Sequence, residues 1–88
     1  MSQISFSGKI AYSRTKNGNH CPSGTVVAFE TNCELAANQL EMSYSGLRPG
    51  ERYPAGCYYY GSSTVYFNDI VDPSLIPNPY SHYGAICQ

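Results

Sequence analysis

The sequence predicts an α+β domain: one helix packed on a small antiparallel sheet and closed by two disulfides. Three observations carry that reading. Four cysteines fall at positions 21, 33, 57 and 87 of an 88-residue chain. One stretch has helical apolar spacing, with Cys33, Ala36, Ala37 and Leu40 at i, i+3, i+4 and i+7. Two further runs, "TVVAFE" and "CYYYGSSTVYF", are rich in β-branched and aromatic residues and are bounded by turn formers.

Size makes the staples necessary. A chain of 88 residues has room for one core, and at this length folding buries only roughly 60–65% of the unfolded surface. Small domains of this kind usually need cross-links. Eight Gly and six Pro imply many turns, while 42% hydrophobic and 14% aromatic residues exclude a disordered chain. A net charge of −1 and a pI near 6.0 argue against nucleic acid or anionic lipid as partners. No run of 18 apolar residues occurs, so no membrane span is expected. The opening "MSQISFSGKIAYS" lacks the apolar region of a secretory leader. Because the cysteines point to an oxidising compartment, the expectation is an extracellular or lumenal protein whose leader has been removed.

Taken from the N-terminus, "QISFSGKIAYS" alternates Ile4 and Phe6 with polar residues, breaks at Gly8, then offers Ile10 and Tyr12. Residues 1–20 therefore read as an arm or an extra strand or hairpin, ahead of a disulfide-closed module at 21–88. This stretch carries Lys9, Arg14 and Lys16 and no acid, which makes it a candidate interaction arm; dispersed cations are more commonly a solvated face. "TVVAFE" (25–30) is expected to be a strand, with Val27 and Phe29 on one face and Val26 and Ala28 on the other. Thr31 and Glu34 fit a capping box, so a helix is predicted from about 32 to 42. Its small Ala36 and Ala37 would let the stripe lie close to a sheet. Helical character fades by Ser43, before the loop "SGLRPGERYPAG".

The 57–67 segment reads as a hairpin turning at Gly61-Ser62-Ser63. Alternation sends Cys57, Tyr59, Val65 and Phe67 toward the helix, leaving Tyr58, Tyr60 and Tyr66 on the opposite face. Two explanations fit that second face. Cross-strand aromatic packing, covered by the Pro-rich "DPSLIPNPYSHYGAIC" with Leu75, Ile76, Tyr80 and Tyr83, is one. The other is a binding platform, since tyrosine joins a flat apolar face to a hydroxyl and has little entropy to lose. Tyr58, Tyr60 and Tyr66 are accordingly the candidate ligand-binding residues.

The cysteines include no C-x-x-C pair, and His20 and His82 do not complete the spacing of a common zinc site. An even count at long spacing reads as disulfides, and four cysteines allow three pairings. Cys33 on the inward face of the helix is the natural partner of Cys57 on the strand beneath it. Cys21 and Cys87 then bracket the module.

Motifs for nucleophilic catalysis, phosphate or dinucleotide binding and zinc hydrolysis are absent from the sequence. Asp69 and Asp72 lack the pattern of a calcium loop and suit a turn cap before Pro73 better. An enzyme is not expected, nor a metal or other cofactor.

The elements "CPSG", "TNCELAANQL", "YPAGCYYYGSS", "TVYFN" and "ICQ" occur in that order between Cys21 and Gln88. Together they resemble a cysteine-patterned module of algal and other protist proteins, and more distantly the PAN/apple-like domains, in which a helix is stapled by a disulfide to a sheet. The resemblance spans Cys21 to Cys87, about three quarters of the chain, and the first 20 residues fall outside it. It implies an extracellular or lumenal recognition or adhesion module with no catalytic residues. The expected function is non-catalytic binding of carbohydrate or protein through the tyrosine-rich face. The alternative is a structural subunit or linker of a larger assembly, such as a filament or a lumenal membrane complex, joined through residues 1–20.

Overall fold

The computed structural model describes residues 11–88; Lys9 and the strand expected around Ile4 and Phe6 lie outside them. Among the described residues there are five strands and one α-helix. Strand β1 (Ser13–Arg14) is followed by helix α1 (Glu30–Gln39), then by β2 (Ser43–Leu47), β3 (Gly56–Tyr60), β4 (Thr64–Asn68) and β5 (Tyr83–Cys87). The strands make one sheet in the order β1-β5-β3-β4-β2. Neighbours run antiparallel except β2, which lies parallel to β4. The sheet is therefore mixed rather than purely antiparallel.

The β3–β4 hairpin forms as expected, with Tyr60 opposite Thr64 and Gly61 at φ 67° in the turn. Helix α1 also forms, but it begins earlier than the capping box implied. Its N-cap is Phe29, in extended conformation and without a side-chain cap, while Thr31 already lies within the first turn. The Asn32 and Cys33 amides both reach the Phe29 carbonyl, at 3.1 Å. Glu30 in that first turn complements the helix dipole. At the other end the Met42 amide bonds the Ala37 carbonyl (2.8 Å) and the Glu41 amide that of Asn38 (3.1 Å). This is a Schellman closure, and it places Glu41 at φ 60°, where glycine is usual.

The helix stripe packs as the spacing predicts. Cys33, Ala36 and Ala37 are buried with Cys57, Tyr59, Val65, Phe67, Val27, Tyr12 and Ile86, and Leu40 packs against them. Both disulfides match the expected pairing: Cys33–Cys57 joins helix to sheet, and Cys21–Cys87 ties the loop after β1 to the end of β5.

Three elements differ from the sequence reading. "TVVAFE" is not a strand. Only Val26 forms a bridge, to Cys87, and Phe29 turns out to solvent while Val27 is buried. The segment wedges in where β3 stops pairing with β5: a Cβ on Gly56 would stand 2.4 Å from the Val27 carbonyl oxygen. Secondly, Ser43–Leu47 is an edge strand, where the sequence reading had the helix fading into a loop, with its register broken between Tyr44 and Leu47. Thirdly, the C-terminal segment splits in two. Its last five residues form β5, paired with both β1 and β3, and only the preceding residues act as a cover. In that cover Ile76 is fully buried, and Asp72 caps the 3-10 turn Pro73–Leu75 by accepting from the Ser74 amide (3.0 Å) and hydroxyl (2.8 Å).

The stretch after Tyr12 is fastened to the module rather than standing apart from it. The Thr15 amide bonds the Ala85 carbonyl (2.9 Å), and the Ala85 amide bonds the Thr15 hydroxyl (2.9 Å). Tyr59 crosses over Gly84, where any Cβ would collide with its ring, to donate to the Thr15 carbonyl. The Tyr12 amide reaches the Gln39 side chain at 2.8 Å.

Candidate functional site

On the face away from the helix, β3, β4 and β5 present Tyr58, Tyr60, Tyr66 and Tyr83 together. The register enforces this: Tyr58 stands opposite Tyr66 on one side and Ala85 on the other, and Tyr60 opposite Tyr83. Tyr53 arrives from the 48–55 loop and Tyr80 from the cover. Tyr53 stacks on Tyr58 with centroids 5.2 Å apart and planes at 10°. Tyr66 stacks on the other flank of Tyr58, at 5.5 Å and 28°. Tyr83 meets Tyr53 and Tyr58 edge-on, at 5.2 and 5.7 Å, and Tyr80 and Tyr60 extend the network outward. Six of the nine tyrosines are thus linked ring to ring. Each such contact contributes about 0.5–1.5 kcal/mol beyond simple area burial.

The three candidate ligand-binding tyrosines have different fates. Tyr58 is fully buried, and its hydroxyl donates to the Arg48 carbonyl at 2.8 Å. It has no surface to offer and is the packed centre of the face. Burial sets its phenol well above the ordinary tyrosine range, with neighbouring tyrosines adding to the rise and Arg48 opposing it. Tyr66 is half-buried, and Tyr60 is 51% exposed. The accessible rim is Tyr60, Tyr66, Tyr83 and Tyr80, the last 40% exposed.

Two arginines belong to this face, and neither was singled out from the sequence. The Arg48 guanidinium carbon lies 4.9 Å from the Tyr53 centroid, 5.0 Å from Tyr66 and 5.9 Å from Tyr83. That of Arg52 lies 4.5 Å above Tyr80. Desolvation works against the Arg48 charge, yet Tyr83, Tyr53, Tyr58 and Tyr66 together hold its pKa above the ordinary value, so it stays cationic. Beside Tyr80, an open cleft of about 530 Å³ is lined by Glu51, Arg52, Leu75, Pro77 and Asn78.

What fixes this rim is Asn68, a buried side chain at the end of β4. Its amide nitrogen donates toward the carbonyls of Gly50 (3.0 Å), Tyr53 (3.2 Å) and Pro54 (3.2 Å). Its carbonyl accepts from the Gly50 amide at 3.2 Å and the Ile70 amide at 3.1 Å. The loop carrying Arg48, Arg52 and Tyr53 is thereby folded around one residue. The cover is held in a similar way: Tyr80 N–H donates to the Arg52 carbonyl (2.7 Å), Arg52 Nε to the Asn78 carbonyl (3.1 Å), and His20 Nε2 to the Ile76 carbonyl (2.8 Å).

Searches of protein-family models, curated proteins and solved structures find no match to this chain. The site is consequently read from its own geometry.

The two described cations of the expected interaction arm lie elsewhere. Arg14, on β1, covers the Tyr59 ring at 5.4 Å, and Lys16 is exposed in the following turn. Neither contributes to the tyrosine network. Among the described residues, no three His, Cys, Asp or Glu side chains converge to hold a metal ion, and no helix is long and apolar enough to cross a membrane. Arg48, Arg52 and Tyr53 did leave a trace in "LRPGERYPAG", where two arginines precede a tyrosine. That trace lacks any period, because a loop gives its side chains no repeating direction.

Proposed function

We propose that the protein is a non-catalytic recognition module of an extracellular or lumenal protein, binding carbohydrate through the rim of its tyrosine face. One observation carries this reading. Tyr60 and Tyr80 expose rings that pack at a tilt against Tyr83 in the aromatic layer, so little conformational entropy is lost when a ligand docks. Two disulfides fit an oxidising compartment, and the resemblance to cysteine-patterned protist modules points the same way. No catalytic constellation is invoked.

The test is a panel of neutral and acidic glycans titrated against the protein and read by tyrosine emission, which no tryptophan obscures. Saturable quenching is expected, weakened by about tenfold in Tyr60→Ala and in Tyr80→Ala. Quenching that both variants leave unchanged would place the ligand elsewhere.

A second reading, as a structural subunit, is favoured by the opposite side of the molecule. There Phe29, Leu35 and Leu47 are each more than half exposed on α1, its cap and edge strand β2. Sedimentation that stays monomeric up to millimolar protein would remove its homo-oligomeric form.

A further inference from the structure

The two arginines of the tyrosine face have donors for which the described residues offer no acceptor. Among the described residues no carboxylate or carbonyl accepts from the Arg48 guanidinium, although it is held by three tyrosine rings. Among the described residues Arg52 bonds only through Nε, to the Asn78 carbonyl, and its guanidinium lies over Tyr80. A guanidinium over an aromatic ring is held by the ring and still has N–H groups for a further partner. Such a fork suits a planar or tetrahedral oxyanion, which it can take bidentately. The phenol hydroxyls of Tyr53, Tyr60, Tyr66, Tyr80 and Tyr83 likewise make no bond within the described residues. The rim thus holds two guanidinium groups and five phenols able to donate or accept, with Glu51 beside Arg52, in a chain whose net charge is −1 and which has no general attraction for anions.

Resting on the carbohydrate reading above, we infer that Arg48 and Arg52 select an acidic polysaccharide. Its sulfate or carboxylate groups sit on the guanidinium edges while sugar rings stack on Tyr60 and Tyr80. The surroundings favour a polysaccharide over an acidic peptide. The face is built on β3, β4 and β5, and β1 and β2 already occupy its flanks, so strand addition could occur only one strand outside it. The Tyr60 and Tyr80 surfaces are flat rings, which suit the C–H face of a sugar.

The experiment is fluorescence anisotropy with labelled dextran sulfate, carboxymethyl-dextran and unmodified dextran. Saturable binding to either charged dextran is expected, at least about tenfold tighter than to unmodified dextran and weakening as salt is raised. Arg52→Gln should weaken it about tenfold, and Arg48→Gln similarly, whereas Lys16→Gln should leave it unchanged. Arg52 is the primary variant because its guanidinium lies at the surface. Arg48→Lys separates charge from the stacked bidentate fork, and a melting curve on each variant checks the fold. Several results would overturn the inference. Equal affinity for charged and uncharged dextran removes the anion requirement and leaves the aromatic platform standing. An equal loss in Lys16→Gln means diffuse attraction. Displacement by polyglutamate at equal charge concentration means an acidic peptide is the ligand. No binding to either charged dextran also ends it, while the platform is judged separately by the Tyr60 and Tyr80 variants on the neutral glycans.

Discussion

At the scale of single residues, two side chains have consequences out of proportion to their size. Asn68 satisfies backbone groups of Gly50, Tyr53, Pro54 and Ile70 from a fully buried position. Asn68→Ala leaves those groups without partners, and each orphan costs about 1–3 kcal/mol unless water enters. A loss of about 3 kcal/mol is expected, or a fall in Tm of more than about 10 °C for a domain this size. Thermal denaturation showing less than a few degrees of change would contradict the assignment. Glu41 shows the opposite case. It holds the left-handed position of the helix closure at φ 60° without the freedom of glycine. Glu41→Gly should therefore stabilise by about 0.5–1 kcal/mol, read by urea denaturation; a loss of stability would mean the Glu41 side chain makes a compensating contact. Neither role was visible in the sequence. Asn68 stood only as the last residue of "TVYFN", and Glu41 within the expected helix, because both act through backbone groups that only the folded chain brings near.

Elements were legible in proportion to how far each one's own pattern governs it. Helix α1 declared itself by the spacing of Cys33, Ala36 and Ala37, and the hairpin by alternation around Gly61. Cys33 and Cys57 could be paired from that spacing, since a thiol facing inward from a helix over a strand has few other partners. Strand β2 is different. "SYSGL" contains a glycine, Gly46, and makes a strand only because β4 offers it an edge. Conversely, "TVVAFE" has strand-forming residues, yet β1 and β3 already flank most of β5, and one bridge at Cys87 is all that remains. Tertiary competition for hydrogen-bonding edges overrides local propensity in both. The staples yield a prediction at this scale. Cys33 and Cys57 have no exposed surface, whereas Cys21 and Cys87 retain 8% and 5%. Limited reduction without denaturant should open Cys21–Cys87 first, as followed by alkylation and peptide mapping. Removing each bridge should cost up to about 3.5 kcal/mol for the 24-residue separation and about 4.3 for the 66-residue one. Equal or reversed rates of reduction would show that opening requires global unfolding.

For the molecule as a whole, the three layers of helix, sheet and tyrosine face make alkali a specific threat. Burial raises the phenol of Tyr58. It does the same for Tyr44, where the 2.6 Å hydrogen bond to Glu30 and the charges of Glu30 and Glu34 add to the rise. In the unfolded chain both ionise near pH 10. Their contribution is thus fully present below about pH 10 and is lost as pH climbs from there toward the higher folded values. Stability measured by rapid urea denaturation should be flat through neutrality and fall steeply beyond about pH 10. Absorbance at 295 nm in the folded protein should show at least two tyrosines resisting ionisation. If all titrate together near 10, Tyr58 is not sealed in the way its packing requires.

By itself, the sequence determined what depends on local pattern and on parity. It specified the α+β class, the helix stripe, the hairpin, the core face of Cys57, Tyr59, Val65 and Phe67, and the pairing of four cysteines. Parity also placed Tyr58, Tyr60 and Tyr66 on the other side. Only the tertiary structure decided which of those tyrosines meets solvent, because that depends on a loop and a cover strapped down by Asn68, Arg52 and His20. The same closure brought Arg48 and Arg52 onto the rings. Distances between residues far apart along the chain are set by what packs between them, and no periodicity encodes that.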